Sequence, residues 1–249
     1  MLEPPTYLEI GIRHGDSLAL ARSPSIGIDP AYKLRTALPK GAALFRETSD
    51  EYFDRPDPLA PFGGRPAGLG FIDGMHLVEY ALRDFINVER HAAWTSAIVF
   101  DDIYPRTVEM AARTRRTRAW TGDVYNMLAI LTRYRPDLIC LRVDTRPTGL
   151  LLVIGLDPRS SVLDDRYDEI VLGSVRPDPQ PVPPGVLARR KALAPQAVLS
   201  ASFWSLLRDA RERELPRRRG LRELRRSVRR ELGVTVRRRR VRPRRELAA

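Results

Sequence analysis

An α/β fold, built on a doubly wound, mostly parallel seven-stranded sheet with an antiparallel last hairpin and followed by a basic, helical or disordered C-terminal tail, is what this 249-residue sequence predicts. Three observations carry that expectation. Short β-branched or apolar runs recur at 6–12, 25–29, 42–47, 69–73, 97–101, 138–143 and 149–155. Helical patterns separate several of them, as parallel strands require. The last two runs are joined only by Asp144-Thr145-Arg146-Pro147-Thr148, too short for a parallel crossover, so they read as a hairpin.

The first two runs are the most informative. Tyr7-Leu8-Glu9-Ile10-Gly11-Ile12-Arg13-His14-Gly15-Asp16-Ser17 reads as a strand, a glycine turn and a short helix, and Ile26-Gly27-Ile28-Asp29 as a second strand ending in an acid. A strand running into a glycine turn lets backbone N–H groups approach a ligand, and an acid about 20 residues on can accept both ribose hydroxyls. Glu9 and Asp29 are the candidate acids. The pattern suits an adenosine-containing cofactor, NAD or S-adenosylmethionine (SAM). A dinucleotide pyrophosphate needs bare glycine where Arg13 stands, whereas SAM tolerates the wider Gly11-x-x-x-Gly15 turn.

Between the fourth and fifth strands, His76 to His91 suits a crossover helix, with Leu77, Tyr80, Ala81, Phe85 and Ile86 on its apolar side. Gly122 to Tyr134 suits another, capped by Thr121, with Val124, Met127, Leu128 and Leu131 as its stripe. The pattern weakens after Asp157, and Arg176 to Gly185 is a proline-rich connector. The expected organisation is a catalytic domain over 1–158, an irregular connector over 159–199 and an arginine-rich tail over 200–249. Within that tail, helices are expected near Phe203–Glu214 and Leu221–Leu232, with Gly233 as a stop signal. Arg237 to Arg240 and Arg242 to Arg245 read as disordered.

Composition narrows the function classes. Residues 211–249 hold 17 Arg against 5 Glu, so the whole net charge of +12 resides there and the body is neutral. An electrostatic partner would address the tail, which reads as a solvated appendage or a weak tether to anionic surfaces, since Trp204 is the last aromatic and no ring interleaves the arginines. The lone cysteine, Cys140, lies in an apolar run, which excludes a disulfide framework and a thiolate metal site. No run is long enough to span a membrane and no signal-peptide pattern opens the chain, so a cytoplasmic location is expected.

Two more strand ends carry acids. The fourth strand closes on Asp73-Gly74-Met75-His76 and the fifth on Asp101-Asp102. Neighbouring parallel strands lie about 4.8 Å apart, so these carboxylates should converge at the crevice edge. Three carboxylates suit Mg²⁺ or a similar hard cation, and the absence of thiolates and paired histidines argues against zinc.

Taken together, Glu9-x-Gly11-x-x-x-Gly15-x-Ser17, Ile28-Asp29, Thr48-Ser49-Asp50, Asp73-x-x-His76 and Asp101-Asp102 resemble the class I SAM-dependent methyltransferases over residues 6–156. More narrowly they resemble the metal-dependent O-methyltransferases of the catechol and macrolide-sugar type. The resemblance implies a Rossmann-like fold and a methyltransferase of EC 2.1.1 type that uses SAM and Mg²⁺ on a small-molecule hydroxyl. It implies that Gly11, Gly15 and Ser17, beside Glu9, serve the methionine end, Asp29 the ribose, and Ser49 or Asp50 the adenine side. It further implies that Asp73, Asp101 and Asp102 hold the metal and that His76 is the base. A helix N-terminus at His76 would independently disfavour imidazolium and keep the ring neutral. The catechol enzymes carry Asp-Asn where this chain has Asp101-Asp102, and a helical extension where only Met1 to Thr6 precede the first strand. A lid is then expected from 51–67, from Arg118 to Gly122, from the C-terminal segment, or from a second subunit of a homo-oligomer. A metal-independent methyltransferase and a scaffold binding polyanions through its tail are the competing readings.

Overall fold

The computed structural model describes residues 2–234. Seven strands form one sheet: β1 (Tyr7–Ile10), β2 (Ser25–Ile28), β3 (Ala42–Phe45), β4 (Ala67–Ile72), β5 (Ala92–Phe100), β6 (Ile139–Val143) and β7 (Leu150–Ile154). Their order is β3-β2-β1-β4-β5-β7-β6, parallel as far as β5, with β7 antiparallel to both β5 and β6. All seven predicted runs are strands, and the expected hairpin is β6–β7. The winding reverses between β1 and β4, where a crevice opens at the strand ends.

One face is covered by α2 (Val78–Arg90) and α3 (Asn126–Tyr134). The helix α2 buries Val78, Ala81, Leu82, Phe85 and Val88. Leu77, Tyr80 and Ile86, placed on its apolar side by sequence, are only half-buried, because the face that meets the sheet runs through Val78, Ala81, Leu82, Phe85 and Val88, to one side of theirs. Its first free N–H, that of Val78, donates to Asp123 Oδ1 at 2.7 Å. Thr121 does not cap α3 as expected. Its hydroxyl donates to the Met110 carbonyl, and α3 starts at Asn126.

The second face differs from the sequence expectation. The segment assigned to a connector contains α4 (Tyr167–Ser174), α5 (Pro184–Leu187) and α6 (Pro195–Ser200). The segment assigned to a tail supplies α7 (Phe203–Glu212) and α8 (Arg217–Leu232), and these are not an appendage. Phe203, Leu207, Leu221, Leu224 and Val228 form one core cluster with Ala97, Ile139, Leu141, Leu152 and Ile154 of the sheet. Each such side chain, fully buried, contributes about 1.5–3 kcal/mol. Gly220 is bare because a Cβ there would collide with the Trp94 ring. A boundary at residue 158 would therefore cut this core in two. Gly233, at φ 67°, ends α8 in the left-handed conformation expected of its stop signal. The runs Arg237–Arg240 and Arg242–Arg245 lie outside the described residues. Among the described residues no helix is long and apolar enough to cross a membrane.

Candidate functional site

The site begins at the tip of β1. Gly11 adopts φ 89°, and a Cβ there would run into the carbonyl of Asp73, so the β1 and β4 tips pack backbone to backbone. Its N–H donates to the Ile28 carbonyl at 2.9 Å, which ties the β2 tip to the same turn. At that β2 tip the Asp29 carboxylate is held by two backbone donors, Arg13 N–H at 2.8 Å and Ala31 N–H at 2.6 Å. An oriented carboxylate with lone pairs to spare can accept a vicinal diol.

A cleft of about 380 Å³ opens beside it, with apolar walls from Ile10, Ile28, Met75 and Tyr80 and polar groups from Asp29, Ser49, Asp50 and Asp84. The structure thus brings Gly11, Asp29, Ser49 and Asp50 to one cleft. Glu9, Gly15 and Ser17 do not line it. Gly15 is a turn residue at φ 84°. Glu9 is fully buried, and its two oxygens accept from Ser17 Oγ at 2.5 Å and Tyr7 OH at 2.7 Å. Burial pushes the Glu9 pKa up to about 7, against the two hydroxyls that favour its charge. Tyr7 and Ser17 border a separate groove of about 580 Å³ lined by Leu20, Leu69 and Phe71. Asp50 is engaged by the Arg83 guanidinium, which reaches its oxygens at 2.9 and 2.7 Å.

Across the β4 tip lies a second cluster, and it shares Gly74, Met75 and Asp84 with the cleft. The His76 ring sits between two carboxylates, Nε2 3.2 Å from Asp73 Oδ1 and Nδ1 2.8 Å from Asp102 Oδ2. Trp120 stacks on the ring at 5.2 Å between centroids and 7° between planes, and its carbonyl lies 2.9 Å from Nδ1. Both His76 (φ 57°) and Asp102 (φ 64°) adopt left-handed backbone, a strained state for such residues that concentrates at functional positions. Gly122, at φ 54°, passes so close that a Cβ would strike the His76 carbonyl.

Two expectations need correcting here. His76 is not held neutral. Burial opposes charge on the ring, yet the hydrogen bonds and charges of Asp102 and Asp73 overcome it and push the pKa up to about 10. The helix dipole does not decide the matter because α2 starts at Val78 and Asp123 already occupies its N-terminus. The acid triad is also arranged differently. Asp73, His76 and Asp102 each offer a ligand atom, all within 4.8 Å of one another. Asp101 stands behind them, accepting from the Asp102 N–H at 2.7 Å and from Thr148 Oγ1 at 3.3 Å. Burial, then the charges of Asp73 and Asp102, push the Asp101 pKa up to about 7.

Sequence reasoning missed several contributors. Arg113 bridges Glu79 and Asp123 and so fixes the loop carrying Trp120 and Gly122 over the histidine. Asp84 lies on the buried side of α2, and a charged residue among Ala81, Leu82, Phe85 and Val88 was the available signal.

In sequence the chain matches no family model and no curated protein. In structure it is similar to the O-methyltransferase TomG of Streptomyces achromogenes, involved in tomaymycin synthesis and solved with SAM. That likeness has a TM-score of 0.44 at 16% identity, over 62% of this chain and 74% of that one. It is similar also to cofactor-bound Rv0187 from MTB, with a TM-score of 0.45 at 17% identity over 61% and 73% of the two chains. The N-methyltransferase NodS of Bradyrhizobium japonicum WM9 has a TM-score of 0.36 at 15% identity, over 60% and 84%. By its own strand order the chain has a Rossmann-like fold.

Proposed function

We propose that this protein is a SAM-dependent methyltransferase that methylates a hydroxyl of a small or glycosylated metabolite, assisted by a divalent cation such as Mg²⁺. The observation that carries the reading is the junction at the β4 tip, where a nucleoside-sized cleft with a backbone-pinned Asp29 meets the Asp73–His76–Asp102 cluster across a shared Gly74-Met75 wall. Bound SAM supplies an electrophilic methyl group on a sulfonium. Asp29 accepts the ribose hydroxyls, Met75 and Tyr80 flank the base, and the Gly11 turn admits the methionine end. His76 is the group that holds or moves a proton next to the acceptor, and Asp73, Asp102 and the Trp120 carbonyl orient its ring. Positioning of this kind supplies most of the rate in a displacement that needs little covalent help.

The donor set fits a hard divalent ion, with Asp73 and Asp102 as the oxygen ligands that would hold it and Asp101 behind them, which leaves the His76 ring for its proton. Such an ion lowers the proton affinity of a bound hydroxyl. One observation favours a metal-independent version: as imidazolium, His76 already neutralises Asp73 and Asp102 and occupies the space between them. Calorimetric titration with SAM, with and without Mg²⁺, on wild type and Asp73→Ala separates these versions. The expected result is SAM binding nearly unchanged by the substitution and Mg²⁺ binding abolished. Wild-type turnover indifferent to EDTA would remove the metal from the mechanism. Absence of SAM binding, together with salt-sensitive binding of the intact chain to polyanions, would overturn the reading in favour of a scaffold.

A further inference from the structure

The last helix carries more positive charge than the fold itself uses. Along α8, Arg218, Arg222, Arg226 and Arg229 are exposed, and none has an ion pair or hydrogen bond among the described residues. At about 100° per residue the four fall within an arc of about 80°, a single row about 16 Å long. The other arginines of the helix are engaged. Arg217 donates to the Gly155 and Leu156 carbonyls and Arg225 to that of Asp137. Arg219 reaches Glu223 at 3.6 Å and Arg230 reaches Glu231 at 2.9 Å, so both acids of α8 are already taken.

Like charges one turn apart repel and weaken a helix. Arg218, Arg222 and Arg226 follow one another at that spacing, so the row opposes the helix that carries it. The helix tolerates this because Leu221, Leu224 and Val228 anchor it from the opposite side. A partner that brought negative charge to the row would remove the repulsion.

An anionic bilayer is a poor match for this face. A helix that settles into a membrane surface puts its apolar side among the acyl chains, whereas that of α8 is spent on the sheet. The large apolar side chains exposed among the described residues, Leu20, Leu34, Met75, Leu172 and Leu199, all lie off α8. A single strand is a poor match as well, because unstacked bases call for aromatic platforms and α8 has no aromatic residue. A duplex asks for neither. Each of its strands presents a phosphate every ~3.4 Å of axis, about five over the length of the row, and a rigid line of guanidinia can meet them without reading sequence. Beyond the described residues the sequence adds seven more arginines between 237 and 245.

We propose that the outer face of α8 is a docking surface for the phosphate backbone of duplex nucleic acid, with Arg218, Arg222, Arg226 and Arg229 as its contacts. The inference stands apart from the SAM reading, since the row lies on α8 and the cleft at the tips of β1, β2 and β4.

The test is fluorescence anisotropy of a labelled DNA duplex and a labelled RNA duplex, titrated with the full-length protein over a series of salt concentrations. Two variants that lose the same charge are compared with wild type, R218Q/R222Q/R226Q/R229Q on α8 and R237Q/R238Q/R239Q/R240Q beyond it. The wild type is expected to bind with log Kd rising steeply against log salt, and the α8 variant to lose about 3 to 4 from that slope, at ~0.9 per phosphate contact. Its thermal melt should be no lower than that of wild type, since glutamine forms helix well and the repulsion is gone. Should it fail to fold, R222Q alone decides, with an expected loss of about 1 in slope. Loss of slope on either duplex supports the surface, and the tighter of the two identifies the form of nucleic acid. A wild-type slope retained in the folded α8 variant, with the loss confined to the second variant, overturns the role of α8. A wild type that binds neither duplex, whether or not it binds vesicles containing phosphatidylserine, overturns the proposal altogether.

Discussion

Glu9 offers a stability test that is independent of turnover. The residue is fully buried in β1, between Tyr7 OH and Ser17 Oγ. Moving its pKa from 4.5 in the unfolded chain to about 7 in the fold corresponds to about 3 kcal/mol, at 1.36 kcal/mol per pH unit. The sign follows from proton binding. Between these two values the folded protein keeps a proton that the unfolded chain has lost, so stability falls as pH rises from 4.5 to 7 and is flat beyond. Other buried acids, Asp84 among them, slope the same way, so the informative quantity is a difference between variants. Glu9→Gln keeps the shape and cannot titrate. Urea unfolding of both proteins at pH 4.5, 6 and 8 in metal-free buffer should show the variant gaining about 3 kcal/mol on the wild type between the extremes. Two stability profiles running parallel within about 0.5 kcal/mol would refute the assignment of a buried, proton-retaining carboxyl at the base of β1.

Gly11→Ala forces a side chain into left-handed backbone and into the Asp73 carbonyl, so a loss of about 2–5 kcal/mol is expected, together with weakened SAM binding, measured by thermal unfolding and calorimetry. Trp120→Ala removes the ring stacked on His76, and its expected signature is a fall in kcat by at least about tenfold with SAM affinity within about twofold of wild type, since Trp120 does not line the cleft. Glu89→Ala leaves Arg135 buried beside Asp137 without the partner that it holds through two hydrogen bonds. This should destabilise the fold by about 3–5 kcal/mol in urea, and Glu89→Ala/Arg135→Met should recover much of the loss.

The sheet and its winding were legible because strand runs, helical spacing and a five-residue hairpin connection are local signals, readable without knowing what packs on what. The positions of Gly11, Asp29, Asp73 and Asp102 followed from them, since parallel strands bring their C-terminal ends to one edge. The ionisation of His76 was beyond that kind of reading. It depends on which carboxylates face the ring, and a loop carrying Trp120 and Gly122 decides that from more than forty residues away. Asp84 and Glu9 likewise carry their significance only because the fold withdraws water from them.

The C-terminal helices show the same division. Composition marked residues 211–249 as arginine-rich and periodicity marked α8 as amphipathic, and both are properties of the chain alone. Whether that apolar stripe meets solvent, a partner or the sheet is a matter of long-range packing. Here Leu221, Leu224 and Val228 complete the core that β5, β6 and β7 leave open, while Arg218, Arg222, Arg226 and Arg229 stay outside and Arg217 and Arg225 turn back to donate to the carbonyls of Gly155, Leu156 and Asp137. Local pattern thus determined the elements and the chemistry available at their ends. Only tertiary contact decided which acids share a proton, which carry a counter-charge and which face a cleft, because burial and the distance between charges are properties of the folded whole.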